Sequence, residues 1–359
     1  MKLDLEIGAA RLAAAIRVGD AASDLCCLGA VLSVKRRACL AAGALVAPAL
    51  LLGPARAQGL PREKDLRIFV GFEQGGGADS VARAIAVQLQ RRISRRVIVE
   101  NRTGQHGAMP GEVVKKAPPD GTELALLSST TLVSRLATKN FPFDPVHDLT
   151  PITKIGNFSI AFAVSPLVQV DSFKEYIDWV HDGDAQRHRI AVSSNTTFIE
   201  VLNVLLRRSV SEQLEPVPYR GVVAVLGDLR DGRIPATVNT LTSLLPPHRG
   251  RRCRILMITG NRRLAVAPNI PTAAELGYPS LDMEEWFGLF GPPGMPKEMV
   301  DQLNRRLRSV IDDDEVVALM RPLGLEVDTS SPQELVALIE EHRRTWQSRM
   351  AATGVQVSN

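Results

Sequence analysis

Residues 66–83 read LRIFVGFEQGGGADSVAR, and this stretch constrains the chain more than any other. A short apolar run (Ile68, Phe69, Val70) has the length of a buried strand. Gly75, Gly76 and Gly77 follow, and then Ala78, Asp79 and Ser80 open a helical pattern. Val81, Ala82, Ile85, Ala86 and Leu89 recur at three- and four-residue steps, so one helix face is apolar. A strand, a glycine loop and a helix N-terminus together suit an anion. The loop has no Cβ atoms to block approach, and the first helical N–H groups lack intrahelical partners. A turn that needs positive φ explains the same residues and stays open on this stretch alone. The dinucleotide pattern G-x-G-x-x-G is not met, because Gly75, Gly77 and Ser80 stand in its three places. No Gly-Lys-Ser/Thr follows, so the loop is not a P-loop either.

The unit repeats in kind. Residues 96–100 (RVIVE) predict a strand, followed by the polar, glycine-bearing loop 101–107 and a helix over 110–116. A third strand over 123–127 ends in Ser128, Ser129 and Thr130. Residues 152–164 read as β-prone, in two strands, and a helix is expected over 172–180. A strand at 190–192 then ends in Ser193, Ser194, Asn195, Thr196 and Thr197 before the apolar helix 198–206. Those hydroxyls can cap the helix or hold a ligand carboxylate. Strands are further expected at 234–238 and 254–259, an apolar run at 283–290, and amphipathic helices at 297–312 and 332–351. Asp312, Asp313, Asp314 and Glu315 read as a solvated turn. Alternating strands and helices mean α/β with mostly parallel sheet. Ligands in such folds bind at the carboxyl ends of strands, where these small and hydroxyl residues gather.

The N-terminal segment stands apart. Lys35, Arg36 and Arg37 precede an apolar run over 38–52, and Ala55-Arg56-Ala57 offers a cleavage site. This is the pattern of a secretory signal over about 34–57, cleaved after Ala57, and it implies an exported protein. The paired arginines leave twin-arginine export open beside the general route. A membrane anchor is the alternative, but the run is shorter than the roughly 20 residues of a spanning helix. Residues 1–33 lie upstream of a complete signal, so a non-ATG start near Val31 or Val34 is expected.

Cys26, Cys27 and Cys39 lie in the leader, which leaves Cys253 alone and without a disulfide. Cys253 precedes the apolar run 255–258 and reads as a core residue. The six histidines show no metal-ligand spacing, and no metal or cofactor is expected. A formal charge of +4 with scattered arginines, and 4% aromatic residues, give no case for nucleic acid. About 300 residues after the leader suit two α/β domains, with 155–164 and 283–290 as natural crossing points between them.

Seven short motifs then fall in order: Gly75-Gly76-Gly77-Ala78-Asp79, Val99-Glu100-Asn101-Arg102, Pro119-Asp120-Gly121, Phe143-Asp144-Pro145, Pro218-Tyr219-Arg220-Gly221, Pro268-Asn269-Ile270-Pro271-Thr272 and Trp286-Phe287-Gly288. In these the chain resembles the tripartite tricarboxylate transporter substrate-binding proteins, the Bug family. The resemblance implies a two-domain periplasmic binding protein of the Venus flytrap type, type II-like, with parallel-rich sheets and a ligand cleft between domains. It implies a first domain in two parts, 58–164 and 286–359, around a second over 165–285. It also implies capture of a small carboxylate, whether a di- or tricarboxylate, an amino acid or an aromatic acid, by domain closure. Delivery to two membrane subunits of a secondary transporter follows, and a monomer is expected. By position the ligand site is Gly75, Gly76, Gly77, Ala78 and Asp79, then Gln105, His106 and Gly107, then Ser128, Ser129 and Thr130. On the other side it is Ser193, Asn195, Thr196 and Thr197, with Tyr219 and Asn239.

The departures from the family pattern fall on the pocket. Glu73-Gln74 replace prolines, Ala78 a threonine, and Asn239 an aspartate, while Gln105 and His106 break a glycine-rich stretch. Glu73 can favour a ligand with an amine, or it can point outward. Three rivals remain. A hydrolase lacks a G-x-S-x-G elbow and an acid partner for His106. A periplasmic sensor would present the loaded clamp to a signalling receptor, and a regulator domain would lack the export signal.

Overall fold

The computed structural model describes residues 64–193 and 197–354; the expected signal and its cleavage point lie outside them. β1 (Leu66–Val70) passes through the glycine loop into α1 (Gly77–Ile93). There Val81, Ala82, Ile85, Ala86 and Leu89 are all buried, and Ser94 in the left-handed region (φ 51°) ends the helix. β2 (Val97–Asn101) leads through a 3₁₀ turn, Gln105–Gly107, to α2 (Met109–Lys115). β3 (Glu123–Ser128) runs directly into α3 (Ser129–Ser134). The hydroxyls read as a strand-end loop are this short helix, because Ser128 Oγ accepts the Thr131 N–H as its N-cap.

β4 (Thr150–Phe158) and β5 (Ile160–Val164) are separated by Ser159 alone. α4 (Phe173–His181) starts at the cap Ser172, and β6 (Arg189–Val192) precedes α5 (Thr197–Ser209). β7 (Glu215–Pro218) was not expected, since it holds Pro216 and Pro218. It pairs with β6 through the N–H groups of Glu215 and Tyr219, so both prolines fall on the side that needs no donor. α6 (Val222–Arg230), β8 (Ala236–Thr240), α7 (Leu241–Arg249) and β9 (Arg254–Ile258) follow. Pro246 and Pro247 hid α7 from the sequence reading.

β10 (Glu285–Gly291) and α8 (Lys297–Ile311) lead to α9 (Asp314–Met320). The acidic run before α9 is not simply a solvated turn. Asp313 caps the helix by accepting the Glu315 N–H, and Asp312 accepts the Thr329 hydroxyl. β11 (Glu326–Val327) and α10 (Pro332–Thr353) complete the chain, the latter opened by a Ser331/Glu334 capping box and closed by Gly354.

Two sheets result. One has six strands in the order β11-β4-β10-β3-β1-β2, the other five in the order β7-β6-β8-β5-β9. In each, three strands are mutually parallel: β2-β1-β3 in the first and β7-β6-β8 in the second. β10 and β5, the strands on which the chain enters each sheet from the other, run antiparallel to their neighbours. The sheets are therefore mixed rather than mostly parallel. The chain crosses at Ser159, inside the expected run 155–164, and returns between β9 and β10. Because β5 pairs with β8 and β9, the boundary expected after residue 164 lies past the crossing.

Each sheet with its helices forms a lobe. α1 and α8 bury Leu303, Leu307 and Val310 with Ile85 and Leu89 against the first sheet. α10 ties the lobes together behind the cleft: its Trp346 ring lies 5.1 Å from that of Phe198 on α5. Arg208 of α5 donates to the carbonyls of Ala352 and Thr353.

Candidate ligand cleft

The carboxyl ends of β1, β3, β6, β7 and β8 all open on one cleft of about 760 Å³, mouth included, between the two sheets. This is where an open α/β sheet binds ligands, and the size suits a small molecule.

The first wall is the glycine loop. Gly76, Gly77 and Ala78 line the cleft. Gly75 adopts φ 83°, which glycine reaches without strain. Asp79 does not line the cleft; it holds the loop. Its carboxylate accepts the Gly75 N–H at 2.9 Å, the Arg83 guanidinium, and Asn101 Nδ2 at 3.0 Å. Burial pushes the Asp79 carboxyl up, but the bonds from Arg83, Gly75 and Asn101 outweigh it and hold it below its ordinary value. Asn101 Nδ2 also donates to the Phe72 carbonyl, so the end of β2 fixes the entry to the loop. Among the described residues no acceptor meets the N–H groups of Ala78 and Asp79.

Ser128 and Thr130 line the cleft from β3 and α3, with their hydroxyls 2.5 Å apart. Ser129 points the other way. Its hydroxyl donates to the buried Glu285 and accepts the Trp286 N–H, which spends it on the sheet. The turn from strand β3 into helix α3 falls between the two serines and sends their side chains apart.

The second lobe supplies the opposite wall. Ser193 and Asn239 line it together, Ser193 Oγ donating to Asn239 Oδ1 at 2.6 Å while Asn239 Nδ2 donates to Thr237. Asn195 and Thr196 lie outside the described residues, and Thr197 opens α5. Tyr219 lies off the cleft; its hydroxyl donates to Asp228 at 2.8 Å, and its ring packs on the core of the second lobe. Gln105 and His106 are exposed in the 3₁₀ turn, both at positive φ, and do not line the cleft. Gly107 lies beneath it, where a methyl would meet Thr131 and Phe72.

Several lining residues were not read from the sequence: Phe72, Phe158, Ile160, Phe198, Ile199, Gly221, Val222, Thr240, Ser243 and Phe287. Most come from the opposite sheet or from the crossing strands, so only the topology brings them in. Phe287 lay within a matched motif and Gly221 ended another, the two signals that were available.

The lobes touch across the cleft. Gly77 N–H donates to Ser243 Oγ at 3.0 Å. A methyl on Gly77 would lie 1.9 Å from Thr242 Oγ1, and one on Gly221 would lie 1.9 Å from Glu73 Oε2. Glu73 therefore faces the second lobe rather than outward.

Helix starts and one carboxylate, Glu73, set the electrostatics of the cleft. The first turns of α1, α5, α6 and α7 reach the wall, through Gly77 and Ala78, Phe198 and Ile199, Val222, and Ser243. Each helix N-terminus carries partial positive charge worth roughly 0.3–1 kcal/mol to a nearby anion. No Lys, Arg or His lines the cleft among the described residues. Nor do these residues include a group of three His, Cys, Asp or Glu side chains able to hold a metal.

Two lobes on mixed sheets, crossed twice by the chain, with a cleft at the strand ends, define a periplasmic-binding-protein fold. The chain belongs to the tripartite tricarboxylate transporter receptor family, whose model matches residues 81–355. It is similar to a protein from the tcbD-tcbE intergenic region of Pseudomonas sp. (strain P51), 27% identical over 88% of this chain and 94% of that one. Its fold is that of the periplasmic binding protein BugD, with TM-score 0.76 at 23% identity over 82% of this chain and 99% of that one. Rpa4515 of R. palustris, solved with adipate, superposes with TM-score 0.75 at 26% identity, covering 81% of this chain and 97% of that one.

Proposed function

We propose that this protein is an exported solute-binding receptor that captures a small carboxylate in the cleft between its lobes. The observation that carries the reading is a wall of helix N-termini and hydroxyls with no cationic side chain. Such a wall favours an anion through N–H groups and dipoles. The Ala78 N–H donates to one carboxylate oxygen, and the hydroxyls of Ser128 and Thr130 meet the other. Closure of the lobes excludes water, which strengthens each of these bonds. The adipate held by Rpa4515, a relative in fold at 26% identity, supports the same ligand class.

The remaining steps follow from the family. The loaded, closed form is the one a membrane transporter reads, since ligand binding shifts the open–closed equilibrium. The protein acts as a monomer in the periplasm after removal of residues 1–57. The role proposed is binding rather than catalysis, which the receptor description of the family supports.

Isothermal titration with matched pairs of acid and primary amide tests the reading. An acid that binds while its amide does not is the expected result. Equal binding of the two would contradict it.

A further inference from the structure

Glu73 is the one ionisable side chain in the cleft wall among the described residues. Its carboxylate lies against the Cα of Gly221 from the opposite lobe. Among the described residues it makes no hydrogen bond and no ion pair, although nearly every other carboxylate near the loop is tied down, as Asp79 and Glu100 are. A carboxylate in a closing cleft, with only the start of α6 beside it, gains from a cationic partner, because desolvating it is costly.

Much of the rest of the wall is apolar. Phe72, Phe158, Phe198 and Phe287 contribute ring surface, with Phe158 and Phe287 stacked at 4.3 Å between centroids, and Ile160, Ile199 and Val222 fill the gaps. The polar groups that favour an anion are confined to the helix starts and strand ends. A second ligand carboxylate placed on the ring surface or beside Glu73 is unfavourable there.

Resting on the proposed carboxylate site, we infer that the ligand is an amino acid with an apolar side chain, aromatic or branched, rather than a di- or tricarboxylate. Its carboxylate meets the N–H groups of α1, its ammonium pairs with Glu73, and its side chain lies on the phenylalanines. Glu73 is thus the residue that sets specificity for the amine.

Titration calorimetry on the purified protein separates the possibilities. The probes are L-phenylalanine and L-leucine, their deaminated counterparts 3-phenylpropionate and 4-methylpentanoate, and the dicarboxylates succinate and adipate. At least one amino acid is expected to bind about 10-fold or more tightly than its deaminated counterpart, the scale of one charge-assisted pair. Glu73→Gln, which keeps the shape, should abolish that preference by weakening the amino acid and leaving the deaminated acid at least as tightly bound. Glu73→Lys should shift the preference towards adipate. Dicarboxylates that bind the wild type as tightly as the amino acids, or an amino-acid affinity unchanged in Glu73→Gln, would overturn the inference and leave the carboxylate site standing. If no acid of any kind binds the folded protein, the carboxylate site falls as well.

Discussion

Gly77 and Ser243 join the two lobes: the first helical N–H of α1 donates to the Ser243 hydroxyl at 3.0 Å across the ligand cleft. Gly77 has no room for more, since a methyl there would lie 1.9 Å from Thr242 Oγ1. Helix α1 would itself accept alanine, which is the better helix former. Any penalty is therefore paid between the lobes. Overpacking of this kind costs about 1–3 kcal/mol, so Gly77→Ala should weaken ligand binding by roughly 5- to 150-fold. The thermal midpoint of the ligand-free protein should change little by comparison. Ser243→Ala removes only the bond, and should cost about 1 kcal/mol of affinity. Calorimetry on both variants checks the order.

Asp79 makes the glycine loop pH-sensitive. Burial works to raise its carboxyl, and the bonds from Arg83, Gly75 and Asn101 prevail and lower it from 3.8. A depressed folded value means the stabilisation is fully present above the ordinary value and is lost as pH falls through the folded one. Asp79→Asn should cost about 1.5–3 kcal/mol at neutral pH, the worth of hydrogen bonds to a charged group. It should also flatten the decline in stability below about pH 4. Urea unfolding at several pH values measures both effects, and a wild-type pH slope retained in the variant would contradict the assignment.

Gly71 packs against backbone. A methyl at this position would lie 2.3 Å from the Gly107 carbonyl oxygen, which belongs to the turn after β2 and cannot rotate away. Gly71→Ala should therefore destabilise the fold by at least about 1–3 kcal/mol and displace the 3₁₀ turn at 105–107. Chemical denaturation gives the first quantity.

Cys253 is buried, and burial pushes its thiol up to about 12. The folded protein should resist alkylation by iodoacetamide at pH 8 and react fully once unfolded. Mass spectrometry before and after denaturant distinguishes the two states.

How far the sequence revealed this molecule depended on how local each feature is. The strand, glycine loop and helix over 66–93 are set by adjacent residues, and the helix start, the apolar face and the cleft position of Gly76 and Gly77 were all legible. The class of fold followed from alternation. Side-chain direction was harder. Ser128 and Ser129 are chemically alike, but one lines the cleft and the other bonds Glu285, a difference set where β3 turns into α3. Tyr219 looked like a wall residue until the approach of Asp228 from α6 gave its hydroxyl another partner. Phe198, Val222 and Ser243 reach the cleft only because two distant sheets face each other, and no local pattern carries that information. β7, α7 and α9 were hidden by prolines and aspartates whose usual meaning is a break, here reversed by an edge position, an α-helical Pro246-Pro247 pair and a cap.

The central claim is that the cleft holds a carboxylate, and a thermal-shift screen of the purified protein tests it most directly. The panel would hold succinate, citrate, glutamate, benzoate, nicotinate, phenylalanine and leucine, each beside a neutral amide of similar shape. Ligand at about a thousand times Kd adds roughly 4 kcal/mol, enough to raise the midpoint by several degrees. The account predicts such a rise for at least one acid, absent with its amide and diminished in Gly77→Ala. A cooperatively unfolding protein whose midpoint no acid moves would contradict it.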